Sequence, residues 1–284
     1  MSAYLLLYYK ADGSLQAALL NEQGKLADLP VIMSFDELAE RHPNTQATLL
    51  IDSTLIHSTR IALPDTHRQR LLKAAPYALE DQLACDIDEL HFTLGKREAD
   101  NLLPVVCINK AMLKNILHRF SLANIQITAI CPDVLALPLS AQQWTILLDQ
   151  QTAYIKLSPQ SGYYCERDNL PMMLPALIQQ AAIPPQTLLV MTAADTDVDV
   201  LNTLFAGTEL PRVSQPYTQS LLHVFALHLQ DARSMNLLQG ELAVKSNSSL
   251  PWKIWRIAAI AAFSWLLLKL LVAGLEIQML NHIN

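Results

Sequence analysis

Short apolar runs of strand length alternate with polar turns in the N-terminal third of the chain. Residues 3–20 hold two such runs around Ala11-Asp12-Gly13, which predicts a β-hairpin with its turn at the glycine. The runs at 48–53, 58–64 and 90–94 predict three more strands. This part of the chain is therefore expected to form a sheet that begins with a hairpin.

The same order of patterns returns further along the chain. Residues 144–167 predict a strand meander with turns near Asp149 and at 159–162, and 187–193 predict a buried strand. Apolar positions at helical spacing predict helices at 110–122, 170–182, 198–205 and 219–229. Two halves with the same order of hairpin, strand and helix, at about 1–135 and 140–240, indicate an α/β fold made by duplication.

One apolar stretch near the C-terminus is long enough to cross a bilayer. Residues 257–275 contain only Ser264 and Lys269 as polar residues, and a helix of this length extends about 28 Å. The pattern predicts a single transmembrane helix at 254–276, after a polar linker at 241–253. Lys and Arg precede the span and none follow it, so the positive-inside rule places the N-terminal body in the cytoplasm. Ala258 and Ala262 form a small-xxx-small pair at which two spans could pack closely.

Composition narrows the classes of function. The net charge of −6 argues against binding to nucleic acid, because contacts with the phosphate backbone need clustered Lys and Arg. The N-terminus lacks the basic region and apolar core of a signal peptide, and the four cysteines are widely spaced. Such spacing is typical of buried thiols in a reducing compartment.

A helix is predicted to begin at Thr66, with Gln69 completing a capping box. Read as one helix, it would place basic residues first and acidic residues last, which the helix dipole disfavours. Pro76 is therefore predicted to kink or split this helix. The split would put Lys73 at a helix C-terminus and the acidic residues near the start of the next helix.

Five carboxylates follow this proline: Glu80, Asp81, Asp86, Asp88 and Glu89. An EF-hand loop starting at Asp86 would need glycine at its sixth position, where His91 stands, so calcium binding is rejected. A carboxylate pair for general acid and base catalysis is formally possible, but no nucleophile or metal ligand accompanies it. Two further interpretations stay open, a solvated acidic face and a surface that docks a partner.

No motif of a catalytic or metal site accompanies these residues. The sequence holds no H-E-x-x-H, C-x-x-C, G-x-S-x-G or P-loop pattern. Its seven glycines lie too far apart to form a phosphate-cradling loop. We therefore expect no catalytic residue, no metal ligand and no cofactor.

Two stretches resemble a known family. LPDTHRQRLLKAAPYALEDQLACDIDELHF at 63–92 and MNLLQGELA at 235–243 are similar to protein L of bacterial type II secretion systems, the GspL/EpsL family. The acidic, glycine-poor duplicated body fits the same resemblance, which runs from the N-terminus through the predicted span. It implies an actin-like (RNase H-like duplicated) cytoplasmic body at 1–240, a single transmembrane helix, the start of a periplasmic segment at 277–284, and a ferredoxin-like periplasmic domain that this sequence would lack.

The resemblance also implies a scaffold of the bacterial inner membrane and not an enzyme. The cytoplasmic region would bind the N-terminal domain of the secretion ATPase, protein E, and tether it to the lipid bilayer. The rest of the chain would contact the inner-membrane proteins M and F, in a homo-oligomer. The five carboxylates are then candidate contacts for basic residues of a partner.

A membrane-tethered nucleotide-dependent enzyme of the actin and sugar-kinase type is the alternative from a different class. Actin-like ATPases hold phosphates with two glycine-containing hairpin turns and an aspartate for the metal. The corresponding turns here contain Asp12 with one glycine, and Asp149 with none, where Gln150 and Gln151 follow. We expect an architecture that has lost its nucleotide site. A pilus-assembly or cell-division adaptor of the same fold is a third interpretation.

Overall fold

The computed structural model describes residues 4–21, 23–193, 198–217 and 220–243, and further along the chain 256, 259–265 and 269. The chain divides into two compact units, Met1–Leu242 and Ala243–Asn284. In the second unit the described residues from 256 onwards are helical. None of the helices described here is both long and apolar enough to cross a membrane. Most of the predicted span 254–276, including Ala258, lies outside the described residues, so the span stays a prediction.

Thirteen strands and seven α-helices make up the described part of the first unit. The strands are β1 (Tyr4–Tyr9), β2 (Leu15–Leu20), β3 (Val31–Ile32), β4 (Gln46–Ile51), β5 (Ile56–Ile61), β6 (Leu90–Leu94), β7 (Leu103–Asn109), β8 (Gln126–Pro132), β9 (Gln143–Leu148), β10 (Thr152–Lys156), β11 (Gly162–Glu166), β12 (Thr187–Ala193) and β13 (Arg212–Tyr217). The helices are α1 (Phe35–Arg41), α2 (Arg68–Leu79), α3 (Lys110–Leu122), α4 (Leu170–Gln180), α5 (Val198–Leu204), α6 (Leu221–Leu227) and α7 (Leu229–Ala232).

Two five-stranded sheets share one topology. The first has the spatial order β3-β2-β1-β4-β8, and the second has the order β11-β10-β9-β12-β13. In each sheet the first three strands form an antiparallel meander. Two later strands then extend the sheet in parallel on the other side of the first strand. The α/β class is confirmed, and the repeated order is the one that a duplication predicts.

The first hairpin turns where the sequence predicts it. Gly13 adopts a φ of 83°, which residues with a Cβ rarely adopt. Its N–H donates to the carbonyl of Lys10 at 3.0 Å, and the N–H of Lys10 donates to the carbonyl of Ser14, also at 3.0 Å. The Asp12 carboxylate accepts a hydrogen bond from the N–H of Ser14 at 2.8 Å and so stabilises the turn.

A third, smaller sheet is inserted between β4 and β8, with the strand order β5-β7-β6. Helix α2 covers one of its faces. The small core between them contains Ile61, Ala75, Leu79, Phe92, Leu94, Leu103, Val105 and Cys107. The opposite face of β7 contributes Val106 and Ile108 to the main core of the unit. Along the chain, the small sheet connects the first large sheet with the stretch that carries the five carboxylates.

The structure corrects the prediction for the proline. The predicted split is wrong, because α2 continues from Arg68 to Leu79 with Pro76 inside it, while the alternative of a kink stays a prediction. Only a 3₁₀ turn, Glu80–Gln82, follows the helix. A proline in a helix removes one backbone donor and crowds the preceding turn. Complete burial of Ala75 and Leu79 in the small core offsets that cost on both sides of the proline.

The start of α2 also differs from the prediction. His67 is the N-cap and makes no side-chain capping bond, so the predicted capping box at Thr66 is wrong. The first helical residue, Arg68, instead reaches across to the end of β6. Its guanidinium donates to the carbonyl of Leu94 at 2.5 Å and to that of Gly95 at 3.2 Å. A long-range contact thus replaces the local cap that the sequence suggested.

The cysteines agree with the prediction at three positions of four. Cys107, Cys131 and Cys165 are buried free thiols. Cys85 is exposed, in the connection between α2 and β6, and so differs from the expectation. The wide spacing of the four cysteines carries no information on the environment of any single one of them.

Candidate docking surface and the centre of the body

The connection between α2 and β6, residues 80–89, is called the acidic segment below. Two 3₁₀ turns, Glu80–Gln82 and Ile87–Glu89, shape it. All five of its carboxylate residues are exposed. Asp86 also has a structural role, because its Oδ1 accepts a hydrogen bond from the N–H of Asp88 at 2.9 Å and caps the second turn. The fold therefore gathers all five predicted residues on one surface connection.

The carboxylates of the acidic segment form no ion pair with a lysine, arginine or histidine within the part of the chain that the structure describes. No cluster of three or more His, Cys, Asp or Glu side chains in the described ranges could hold a metal ion. The segment is thus a concentrated negative surface whose available chemistry is attraction of positive groups.

Aromatic side chains fill the contact between the two equivalent hairpins, β1–β2 and β9–β10. Tyr8 of β1 and Tyr154 of β10 both pack edge-on against Phe225 of α6, with ring centroids 5.6 Å and 6.3 Å apart respectively. All three side chains are buried. The place where the two halves meet is therefore occupied by the protein's own core.

A buried carboxyl group lies next to these rings. Asp133, which follows β8, is completely buried and accepts hydrogen bonds from the Tyr8 hydroxyl at 2.9 Å and from the N–H of Ser53 at 3.0 Å. The Ser53 hydroxyl and the N–H of Val134 also donate to it. Burial raises the pKa of Asp133 to about 7, and the nearby Asp52 carboxylate acts in the same direction. The hydrogen-bond donors partly oppose this rise.

A buried lysine lies on the other side of the same 3₁₀ turn, Asp133–Ala136. The Nζ of Lys156 donates to the carbonyl of Leu135 at 2.8 Å and to that of Leu137 at 2.7 Å. Burial lowers the pKa of Lys156 to about 8, although Asp231 acts to raise it. Since Lys156 belongs to the second sheet and the turn follows the last strand of the first, these bonds join the two halves.

The two aspartates of the hairpin turns serve the turns themselves. Asp12 is exposed, and hydrogen bonds from Ser14, first from its side chain and then from its backbone, lower the pKa of Asp12. The N–H of Asp149 closes the second turn by donating to the carbonyl of Thr152 at 2.9 Å. Sequence reasoning missed Asp133 and Lys156, whose only signal was a single polar residue in an otherwise apolar stretch.

A comparison with protein families identifies the group of proteins to which this fold belongs. The family model described as type II secretion system (T2SS), protein L, matches residues 14–245. The chain belongs to this family. Members similar to it include protein L of Dickeya chrysanthemi, 29% identical over 257 residues, and protein L of Vibrio cholerae serotype O1, 27% identical over 252 residues. The matches cover 87% and 84% of this chain, but only 54% and 56% of those relatives, so the chain spans about half their length.

Solved structures show the fold of this protein L body. The cytoplasmic domain of EpsL, described as an inner membrane component of the type II secretion system of Vibrio cholerae, matches with a TM-score of 0.70 at 16% identity. The match covers 85% of this chain and 100% of that domain. A chain of the PilM–PilN type IV pilus biogenesis complex matches with a TM-score of 0.53 at 11% identity, covering 82% of this chain and 99% of that one. The first likeness assigns the body the fold of the EpsL cytoplasmic domain.

Proposed function

We propose that this protein is an inner-membrane scaffold that recruits the cytoplasmic secretion ATPase to the membrane platform. Residues 1–240 are the cytoplasmic body, 241–253 a linker, 254–276 a single transmembrane helix and 277–284 the start of a periplasmic segment. The body binds the N-terminal domain of the ATPase, protein E. The rest of the chain contacts the inner-membrane proteins M and F within homo-oligomers. The protein acts by binding, without catalysis.

The proposed location is supported by the family and by the EpsL domain. That domain is described as the cytoplasmic part of an inner membrane component, and its whole length matches the body of this chain. The apolar stretch at 257–275 supplies the length that a bilayer requires. The Lys and Arg residues before it support a cytoplasmic body.

The acidic segment is the observation that carries the docking proposal. Five exposed carboxylates in ten residues, without a basic partner in the described part of the chain, leave a strong local field. Such a field accelerates association with a basic surface by roughly ten- to a thousandfold, while each exposed ion pair adds only about 0.2–1 kcal/mol. We therefore propose a basic patch on the ATPase domain as the partner surface, with the segment acting mainly on the association rate.

The centre of the body supports a binding role over a nucleotide-dependent enzyme. Tyr8, Tyr154 and Phe225 pack where the two hairpins approach each other. The turn of the first hairpin contains one glycine, and that of the second contains none. A cleft opened between the hairpins for a nucleotide would expose these side chains, each of which contributes roughly 1.5–3 kcal/mol of burial.

The proposal is tested by measuring association of the full chain, in detergent micelles, with the N-terminal domain of the secretion ATPase from the same organism. Wild-type chain is compared with the triple variant Asp81→Lys, Asp88→Lys and Glu89→Lys. Asp86 is left in place because it caps the second turn of the segment. We expect the reversal to slow association at least about tenfold at low salt, and the effect to shrink as salt screens the charges.

A matched control variant distinguishes an effect of the acidic segment from an effect of the net charge of the protein. The triple variant Asp28→Lys, Glu40→Lys and Glu209→Lys changes the net charge equally at exposed positions on other elements. It should leave the association rate close to that of the wild type. Equal slowing by both triples would refute the docking surface, and absence of any binding by the wild-type chain would refute ATPase recruitment. A parallel titration with ATP alone should give no saturable binding.

The pairing of membrane spans is a separate part of the proposal. Ala258 and Ala262 lie one helical turn apart, so small side chains at both would let two spans approach closely. Ala262 is exposed in the described part of the second unit. Leucine at both positions should reduce crosslinked dimers in vesicles, whereas leucine at Ala259 and Phe263 should not. Unchanged crosslinking in the first variant would remove these residues from any interface.

A further inference from the structure

The last segment of the body, residues 235–242, is called the latch below. It includes most of the stretch MNLLQGELA and immediately precedes the proposed linker. Met235, Leu237 and Leu238 are buried in the main core. Its polar residues, by contrast, form hydrogen bonds with two different sheets.

On one side the latch binds the edge strand of the first large sheet. The N–H of Leu237 donates to the carbonyl of Ile130 at 2.8 Å. The side-chain oxygen of Asn236 accepts from the N–H of Ile130 at 2.9 Å and from the N–H of Leu238 at 3.0 Å. Both backbone groups of Ile130 on β8 are thus satisfied by the latch, which closes the sheet edge at this point.

On the other side the latch binds β6 of the small sheet. The carbonyl of Leu237 accepts a hydrogen bond from Nε2 of His91 at 2.7 Å. A carbonyl oxygen can only accept, so Nε2 of His91 carries the proton in this bond, and burial lowers the pKa of His91. The Gln239 amide donates to the carbonyl of Leu94 at 3.3 Å and accepts from Arg68 at 2.6 Å.

These bonds are important because, in the described part of the chain, no apolar side chain of β6 packs into the main core. The side chains of β6 alternate, so Phe92 and Leu94 enter the small core while His91 and Thr93 face the other way. The Oγ1 atom of Thr93 is buried without a hydrogen-bond partner. The neighbouring strand β7 does contribute apolar side chains to the main core. β6 is therefore attached to the main core in two ways, indirectly through its antiparallel pairing with β7 and directly through the hydrogen bonds of the latch.

We infer that the latch holds β6 and the acidic segment against the first large sheet and couples their position to the chain that follows Leu242. The acidic segment ends at Glu89, and β6 begins at the next residue, so the two move together. A pull on the chain after Leu242 would load the ion pair between Glu241 and Lys110, 3.1 Å long, and then the bonds of Gln239 and Asn236. The consequence for docking rests on the proposed function, whereas the mechanical coupling does not.

Hydrogen exchange of the full chain, without any partner, tests the coupling. In the double variant Asn236→Ala and Gln239→Ala, amides of residues 80–94 should exchange at least about tenfold faster than in the wild type. Amides of β9, β10 and β12 should keep their rates. Gln239→Ala alone leaves the bonds to Ile130 intact and should give a smaller rise confined to the same residues. It also provides the test if the double variant does not fold.

Gln126→Ala is the matched control, because it removes an exposed side-chain bond to Gln46 from the same edge strand without touching the latch. It should leave exchange at 80–94 unchanged. A uniform rise over all three sheets in the latch variants would overturn the inference, since the segment would then be an ordinary part of the core. Unchanged exchange at 80–94 would overturn it too. Because no ATPase is present, neither result depends on the proposed docking.

Discussion

The substitution Asp133→Asn isolates the effect of a carboxyl group buried between the two halves of the body. Asparagine has nearly the same shape and can keep the bonds from Ser53 and Val134, while the bond with Tyr8 must reverse its direction. Its Oδ1 can accept from the N–H groups of Ser53 and Val134, as the carboxylate does. Its Nδ2 can donate to the Tyr8 hydroxyl, whose oxygen lies 2.9 Å from the present Oδ2. The main change is the loss of a titrating group.

The sign of the pH effect follows from the raised pKa. Burial raises the pKa of Asp133 to about 7 in the folded protein, above the ordinary value of 3.8. The native state therefore binds the proton more tightly than the unfolded chain does, and this contribution to stability is lost as pH rises from about 4 through 7. A difference of roughly three pKa units corresponds to about 4 kcal/mol in all, of which about 3 kcal/mol falls between pH 5 and 8.

Urea unfolding of the full chain at about pH 5 and pH 8, followed by far-UV circular dichroism, measures the effect. Other titrating groups contribute to both proteins, so the comparison of wild type with Asp133→Asn cancels them. On going from the lower to the higher pH, the free energy of unfolding of the wild type should fall relative to the variant by about 3 kcal/mol. Parallel pH profiles would show that Asp133 keeps one protonation state throughout and would refute the reasoning.

Three further predictions use the same unfolding assay or simple labelling. Lys156→Met should lower the free energy of unfolding by about 1–3 kcal/mol, because two buried carbonyl groups lose their donor; an unchanged value would contradict this role. Gly162→Ala should cost about 1–3 kcal/mol, because the added Cβ would lie 2.9 Å from a side-chain carbon of Val134 and 3.2 Å from the carbonyl oxygen of Ile155; an equal stability would show that β11 can shift. A maleimide should modify one cysteine of the folded chain, the exposed Cys85. Burial raises the pKa of the other three thiols to about 11 or 12, so they should react slowly. Mass spectrometry should find no fast labelling in the variant Cys85→Ser.

Periodicity and turn chemistry predicted the elements whose signals are local. Helix α3 and strands β6 and β12 have the predicted bounds, and the hairpin turn at Gly13 was correct. Strands β7, β8 and β13 and helix α1 were not predicted. A fully buried strand such as β7 has no alternation of polar and apolar residues, so its sequence resembles any other apolar run. The edge strand β13 is largely exposed, and it was missed because it contains almost no apolar side chain.

The error at Pro76 has a different origin. Local rules weigh the missing donor and the helix dipole, and both favoured a break. The helix instead continues through the proline because the small core buries the residues on either side of it. That core is formed by strands inserted between distant parts of the first sheet, so no window of sequence around the proline could show it. The exposed acidic segment was easier to predict, since its polarity is a local property.

The bonds of Asp133, Lys156 and the latch could not be predicted from local sequence either, and they bear on function. In each case a polar side chain bonds to backbone groups of a distant element, at places where the halves or the sheets meet. A single polar residue in an apolar stretch gives no hint of its partner. Such bonds fix the arrangement of the sheets without a bound ligand, because the protein itself supplies the donors and acceptors. A body held in one arrangement by internal bonds is suited to present a fixed docking surface, and the latch is the one described contact through which the following chain could alter it.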